Sequence, residues 1–211
     1  MADPSLSQCR HEPFATLARQ READRLGMLL FLASELMLFG GVFAAALLIR
    51  MTHAQDYAAA SAAMHFWLGG INTALLLTSS LLVALAVSLC REGRARAAGW
   101  ALAGAIALGL AFLAVKGFEY GLEWRDGMVP VLRPKGLEGS VQTLFMTLYF
   151  TATGLHAVHV TIGLVLLAAM IRPFSSARRD PAATTLGNVA LYWHFVDVVW
   201  IFLYPTLYLA R

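Results

Sequence analysis

The sequence contains five apolar blocks that are each long enough to cross a lipid bilayer. A hydrocarbon core of about 30 Å requires roughly 20 consecutive apolar residues in a helix. Hydrophobic residues make up 59% of the chain and charged residues only 14%, a balance that soluble domains rarely have. We therefore predict an all-α membrane bundle of five transmembrane helices, at about 26–49, 67–89, 97–118, 141–171 and 189–209.

The arginine and lysine residues are unevenly divided between the two sides of this predicted bundle. One side carries Arg10, Arg19, Arg21, Arg25, Arg91, Arg94, Arg96, Arg172, Arg178 and Arg179. The other carries Arg50, Lys116, Arg125, Arg133, Lys135 and Arg211. Because basic loops remain in the cytoplasm, we expect a cytoplasmic amino terminus and an outer carboxyl terminus. The net charge of +3 then reflects membrane topology, and no nucleic-acid partner is expected.

The first 25 residues are predicted to be a retained cytoplasmic segment, followed by a five-helix domain at 26–211. The apolar block after this segment is too long for the apolar part of a signal peptide, and it has no cleavage pattern. Two cysteines, Cys9 and Cys90, are both expected on the cytoplasmic side and lack the spacing of a metal site. Neither a disulfide nor a thiolate metal centre is therefore predicted.

Glu35 is a carboxylic acid in an otherwise apolar stretch, LLFLASELMLFGGVFAAALL. It follows Arg25 by ten residues, which corresponds to about 15 Å of helix and places it near the bilayer midplane. A charge at that depth costs at least about 2.5 kcal/mol on insertion scales. We expect a neutral or hydrogen-bonded carboxyl, with either a proton-linked role or a structural role between helices.

His156 and His159 lie three residues apart in TGLHAVHVTIG and so share one helix face with Gly163. Both histidines are candidates for a hydrogen bond to Glu35, and His159 has the more similar estimated depth. A metal site would need further ligands, so none is predicted. Gly163 could let a neighbouring backbone approach closely.

Three further polar residues are predicted to join this buried polar network. His194 and Asp197, in YWHFVDVVW, share one face of the last helix, where Asp197 is expected to bind another helix through an ion pair or hydrogen bond. A contact with a partner subunit or lipid is the alternative. Glu119 lies near the outer end of the third helix, close to Glu123, and a hydrogen bond to a neighbouring helix is expected there rather than catalysis.

The histidines are too few for a redox centre within this chain. A centre with two haems and copper requires about six histidines at set depths. The chain has six in total, and His11, His53 and His65 lie outside the membrane or at its edge. By composition, the chain is either a transporter or a non-catalytic subunit of a larger complex.

Five successive motifs resemble subunit III of the haem-copper terminal oxidases, in that family's order. They are RLGMLLFLASELMLFGGVF, INTALLLTSSLLV, LGLAFLAVKGFEY, TATGLHAVHVTIGL and YWHFVDVVWIFLYPTLY. The resemblance implies a non-catalytic subunit of a proton-pumping cytochrome c oxidase in a bacterial inner membrane. It implies direct packing on subunit I, with subunit II in the same complex and with haem and copper in these partner subunits. It also implies a contribution to sustained proton uptake and to resistance against inactivation during turnover.

The resemblance also assigns residue roles. Glu35 matches the family's membrane glutamate, and His156 and His159 match its paired histidines. Arg172 matches an arginine that binds a lipid phosphate, and Arg25 matches the arginine preceding the glutamate helix, so phospholipid is an expected ligand. The chain lacks two helices with which longer members form a lipid cleft, and it resembles the five-helix bacterial form. A subunit III-like protein of nitric oxide reductases and a small proton-coupled transporter are the alternatives.

Overall fold

The computed structural model describes residues 16–129, 140–174 and 180–210, which form six helices. In chain order these are α1 (Leu17–Thr52), α2 (Ala54–Ala62), α3 (Phe66–Arg91), α4 (Ala95–Arg125), α5 (Ser140–Phe174) and α6 (Asp180–Tyr208). The five long helices contain segments that are apolar and long enough to span a membrane: Glu22–Thr52, Phe66–Arg91, Ala95–Arg125, Val141–Ile171 and Thr185–Tyr208. The prediction of an all-α bundle with five membrane-spanning helices is confirmed.

Helix α6 forms the centre of the bundle, and α1 lies at its edge. Helix α6 packs against α1, α3 and α5, while α4 packs against α3 and α5. In the apolar segment of α6, 56% of the residues are buried inside the protein, against 17% in that of α1. The apolar side chains of α1 therefore face mostly outward, toward lipid or another subunit.

A tight turn joins α3 to α4 and makes them antiparallel neighbours. Gly93 has a φ of 75°, which is the left-handed region that a glycine enters without steric cost. The backbone N–H of Arg94 donates to the Leu89 carbonyl at 2.9 Å, which closes the end of α3. The turn therefore ends one helix and starts the next within a few residues.

The short helix α2 was not predicted from the sequence. It has only nine residues, and it packs against α1, α5 and α6. The Tyr57 hydroxyl donates to the Thr206 carbonyl and the Ser61 hydroxyl donates to the Leu207 carbonyl, both at 2.9 Å. Helix α2 therefore covers the carboxyl end of α6, where helical carbonyls lack partners of their own.

Gly163 leaves room for an aromatic ring rather than for a neighbouring backbone. A methyl group on Gly163 would lie 2.7 Å from Trp193 Cε3, and one on Gly109 would lie 3.0 Å from Trp193 Cη2. The indole of Trp193 thus fills a slot between α4 and α5, and Trp193 is fully buried. Close packing at a small residue was expected, but the group that enters the space belongs to a side chain of α6.

Candidate functional site

Glu35 and His159 form the hydrogen bond that their estimated depths predicted. His159 Nε2 lies 2.9 Å from Glu35 Oε2 and joins α5 to α1. His159 Nδ1 lies 2.8 Å from the Leu155 carbonyl, which can only accept, so this nitrogen carries a proton. The contact between Nε2 and Oε2 also requires a proton. The pair is therefore neutral in total, either as a carboxylic acid with imidazole or as a carboxylate with imidazolium.

His156 does not bind Glu35. It is completely buried, and its ring lies 5.6 Å from the Phe112 ring and 5.1 Å from the Trp200 ring. Within the described residues, neither of its nitrogens has a hydrogen-bond partner. The three-residue step along α5 is enough to turn His156 toward α4 and α6, whereas His159 faces α1.

His194, rather than Asp197, makes the hydrogen bond to a neighbouring helix. His194 Nδ1 lies 2.6 Å from the Ser80 hydroxyl of α3. Asp197 is buried next to Ser80, but neither of its oxygens has a hydrogen bond within the part of the chain that is described. The ion pair or hydrogen bond expected between Asp197 and another helix stays a prediction, as does the alternative of a contact with a partner subunit or lipid; Ser80 of α3 is the polar group beside its carboxyl.

Glu119 is completely buried and binds a residue that was not predicted as part of a site, Lys116. Lys116 Nζ donates to Glu119 Oε2 at 2.9 Å and to the Tyr149 hydroxyl at 2.9 Å. It also donates to the Tyr208 hydroxyl at 2.5 Å. Tyr208 in turn donates to Glu119 Oε1 at 2.8 Å, so the expected hydrogen bond of Glu119 to a neighbouring helix is present.

Four aromatic rings surround the Lys116 ammonium. Nζ lies within 4.8–5.4 Å of their centres, and they belong to Tyr120, Tyr149, Trp200 and Tyr208. Aromatic faces attract a cation in this range. Glu123 lies one turn beyond Glu119 on the same helix and is also buried. We call Lys116, Glu119, Glu123, Tyr149 and Tyr208 the Lys116 cluster.

The two arginines predicted to bind lipid differ in what the structure describes. Arg25 lies on α1 and is exposed. Arg172 lies in α5, but its side chain is outside the described residues.

Of the two cysteines, Cys9 lies outside the described residues and Cys90 is a free thiol. The described residues contain no group of three or more histidine, cysteine, aspartate or glutamate side chains that could hold a metal ion.

An apolar cleft of about 290 Å³ lies between α1 and α6. Its walls include Leu29, Leu32, Leu36 and Phe39 from α1 and Phe195 and Phe202 from α6. Such a cleft offers contacts to hydrocarbon and no hydrogen bonds. It begins one turn along α1 from Arg25.

The comparisons with known proteins identify the same family as the five motifs do. The family model described as cytochrome c oxidase subunit III matches residues 16–210. "Cytochrome c oxidase subunit 3" of Thermostichus vulcanus is 32% identical over 191 residues, which cover 87% of this chain and 86% of that protein. "Probable quinol oxidase subunit 3" of Staphylococcus aureus (strain USA300) is 29% identical over 191 residues, which cover 89% of each chain.

The match extends over all of the described helices and includes both sides of the Glu35–His159 contact and the whole Lys116 cluster. One of these two relatives is named as a subunit of a cytochrome c oxidase and the other as a subunit of a probable quinol oxidase. The chain belongs to the cytochrome c oxidase subunit III family, and it is a multi-pass membrane subunit of a haem-copper oxidase complex.

Proposed function

We propose that this chain is subunit III of a cytochrome c oxidase in a bacterial plasma membrane. It packs directly on subunit I, and subunit II belongs to the same complex. Haem and copper are bound by these partner subunits, and the amino terminus of this chain lies in the cytoplasm. The match of the family model to residues 16–210 supports the subunit assignment, and the uneven division of basic residues supports the orientation.

The choice of cytochrome c as the electron donor rests on sequence. The ending YWHFVDVVWIFLYP resembles the cytochrome c branch of the family more than the quinol branch. The relatives include both kinds, because one is named for cytochrome c oxidase and the other for quinol oxidase. The donor binds to other subunits, so only the assembled complex can test this choice.

The role that we propose for this chain is to protect the oxidase during turnover and to sustain its proton uptake. The hydrogen bond between Glu35 and His159 is the observation that carries the proposal. It fastens α1, the helix with the most outward-facing apolar segment, to α5, which packs against α4 and α6. A fixed α1 presents a constant apolar surface to subunit I or to lipid.

We further propose that phospholipid binds at the edge of the bundle formed by α1. Arg25 would contact the phosphate, and the apolar cleft between α1 and α6 would hold acyl chain. Leu29 lines that cleft and follows Arg25 by four residues, about 6 Å along a helix. Arg172 is the second candidate for a phosphate contact, by its match to the family's lipid-binding arginine.

Purification of the tagged chain from its native membrane in a mild detergent tests the assignment. A reduced-minus-oxidised visible spectrum should contain haem bands, and the preparation should consume oxygen with reduced cytochrome c. Oxygen consumption with a quinol alone would correct the donor, and reduction of nitric oxide would move the chain to a reductase complex. A colourless preparation that transports protons on its own would contradict the oxidase role.

A further inference from the structure

The hydrogen bonds of Lys116 and Glu119 account for their charges. The Lys116 ammonium has three protons, and each has an acceptor, namely Glu119, Tyr149 or Tyr208. Glu119 receives a hydrogen bond on each oxygen, from Lys116 on Oε2 and from Tyr208 on Oε1. These contacts describe a cation and an anion whose charges cancel.

Glu123 has a different environment in the same cluster. Its residue exposure is 1%, and within the described residues neither carboxyl oxygen has a hydrogen-bond partner. The Tyr149 hydroxyl is the nearby polar group, but it lies 3.1 Å from the Tyr208 hydroxyl and does not meet hydrogen-bond geometry toward Glu123. With the hydroxyls arranged in this way, an ionised Glu123 would be a buried negative charge without a donor, beside a pair that is already neutral.

We propose that Glu123 is a proton-binding site, which holds one proton as a neutral carboxylic acid and exchanges it with water at the end of α4. Glu123 lies two residues before Arg125, the last residue of α4, and Asp126 and Gly127 follow in the turn. On release, the proton passes to water and leaves the carboxylate behind, with no change in electrons. The site is distinct from the Glu35–His159 pair, and the proposal does not depend on the electron donor.

The groups around Glu123 explain how the site can lose a proton without disruption. The titratable groups near it are Lys116, Glu119, Tyr120 and Asp126 from α4 and its cap, Tyr149 from α5 and Tyr208 from α6. The contact between the Tyr149 and Tyr208 hydroxyls, at 3.1 Å, is the longest in the cluster. Once Glu123 is ionised, a rotation of the Tyr149 hydroxyl would let it donate to Glu123 in place of Tyr208, while its oxygen still accepts from Lys116.

Infrared spectroscopy on the protein purified with its natural partners tests this proposal. The wild-type spectrum should contain a carbonyl band of a protonated carboxylic acid that is absent from Glu123→Gln. Glu123→Asp keeps the acid, so it should move the band without removing it. Glu92→Gln, which changes a carboxyl group on the exposed turn before α4, should leave the band unchanged. In heavy water the band should shift, because its proton exchanges with the solvent.

Isosteric variants of the two glutamates provide a second readout. Glutamine closely mimics a neutral carboxylic acid, so Glu123→Gln should assemble normally and melt at the wild-type temperature. Glu119→Gln should lower the melting temperature, because it leaves the Lys116 ammonium without its anion. A Glu123→Gln spectrum identical to that of the wild type, or a loss of stability in Glu123→Gln as large as that in Glu119→Gln, would contradict a protonated Glu123. A band that does not shift in heavy water would show that the proton of Glu123 does not exchange with the solvent.

Discussion

Tyr57 and Thr206 are 149 positions apart in the sequence, and the Tyr57 hydroxyl donates to the Thr206 carbonyl at 2.9 Å. This bond and the neighbouring one from Ser61 to Leu207 supply donors to the last turn of α6. Tyr57 is completely buried, and its ring lies 4.8 Å from the Phe145 ring of α5. A nine-residue helix outside the spanning segments thereby fixes the end of the central helix.

Stability should fall at high pH through Tyr57. Burial raises the pKa of Tyr57 from 10.0 to about 12, and the charge of Arg50 opposes this shift. Because the folded protein favours the neutral hydroxyl, its contribution is complete below pH 10 and is lost as the pH rises toward 12. Thermal unfolding in detergent across this range should show the decline in the wild type and a smaller one in Tyr57→Phe.

Ser61→Ala is the matched control for Tyr57→Phe. It removes the other hydrogen bond between α2 and α6 and should cost a similar amount at neutral pH, about 1 kcal/mol. Since Ser61 does not titrate in this range, the variant should keep the full wild-type decline at high pH. An equal decline in Tyr57→Phe and Ser61→Ala would assign the pH dependence to other groups.

Gly163→Ala should destabilise the bundle, although alanine normally favours a helix over glycine. Its methyl group would lie 2.7 Å from Trp193 Cε3, so the indole must move within a closely packed core. Such overpacking typically costs about 1–3 kcal/mol. Gly154→Ala on the same helix is the control, since its methyl group would have Tyr120 Oη at 4.0 Å as its nearest neighbour. Equal melting temperatures for the two variants would show that Trp193 does not pack tightly against Gly163 in the slot between α4 and α5.

Lys116→Met should be more damaging than the double variant Lys116→Met with Glu119→Gln. Removing the ammonium alone leaves the buried Glu119 carboxylate without its cation, and breaking a buried ion pair in this way costs about 3–5 kcal/mol. The double variant removes both charges at once, so part of the stability should return. A double-mutant cycle of unfolding free energies measures this coupling. If the double variant loses the sum of the unfolding free energies lost by the two single variants, Lys116 and Glu119 are not coupled.

Hydropathy predicted the number of spanning helices but not all of their ends. Helix α4 was expected to end near residue 118, whereas it continues to Arg125. Its last turns contain Glu119 and Glu123, which count against a membrane helix in any hydropathy average, yet both are buried. Helix α2 could not be predicted because nine residues carry too little apolar pattern, and its position depends on contacts to α6 that are distant in sequence.

The candidate site was only partly predictable for similar reasons. Depth along a helix favoured His159 over His156 as the partner of Glu35, because both depths follow from the helical rise, and the structure confirms His159. Lys116 was counted as one of the outer basic residues, although its spacing of three and seven residues from Glu119 and Glu123 places all three on one face of α4. The environment of His156 depends on how α5 is rotated against its neighbours, and a single sequence does not contain that information.

The number of turnovers that the purified oxidase completes before it becomes inactive measures how well this chain protects the complex. Interhelical hydrogen bonds in membranes contribute about 0.6–1.7 kcal/mol, so loss of the Glu35–His159 bond should loosen α1 without unfolding the bundle. Glu35→Ala should therefore shorten the working life of the enzyme while its haem spectrum and initial rate stay unchanged. Glu35→Gln, which can still donate to His159, should restore part of it. Ser34→Ala is the control, because its hydroxyl bonds to Phe31 within α1. A Glu35→Ala enzyme that lasts as long as the wild type would show that the Glu35–His159 bond does not protect the oxidase.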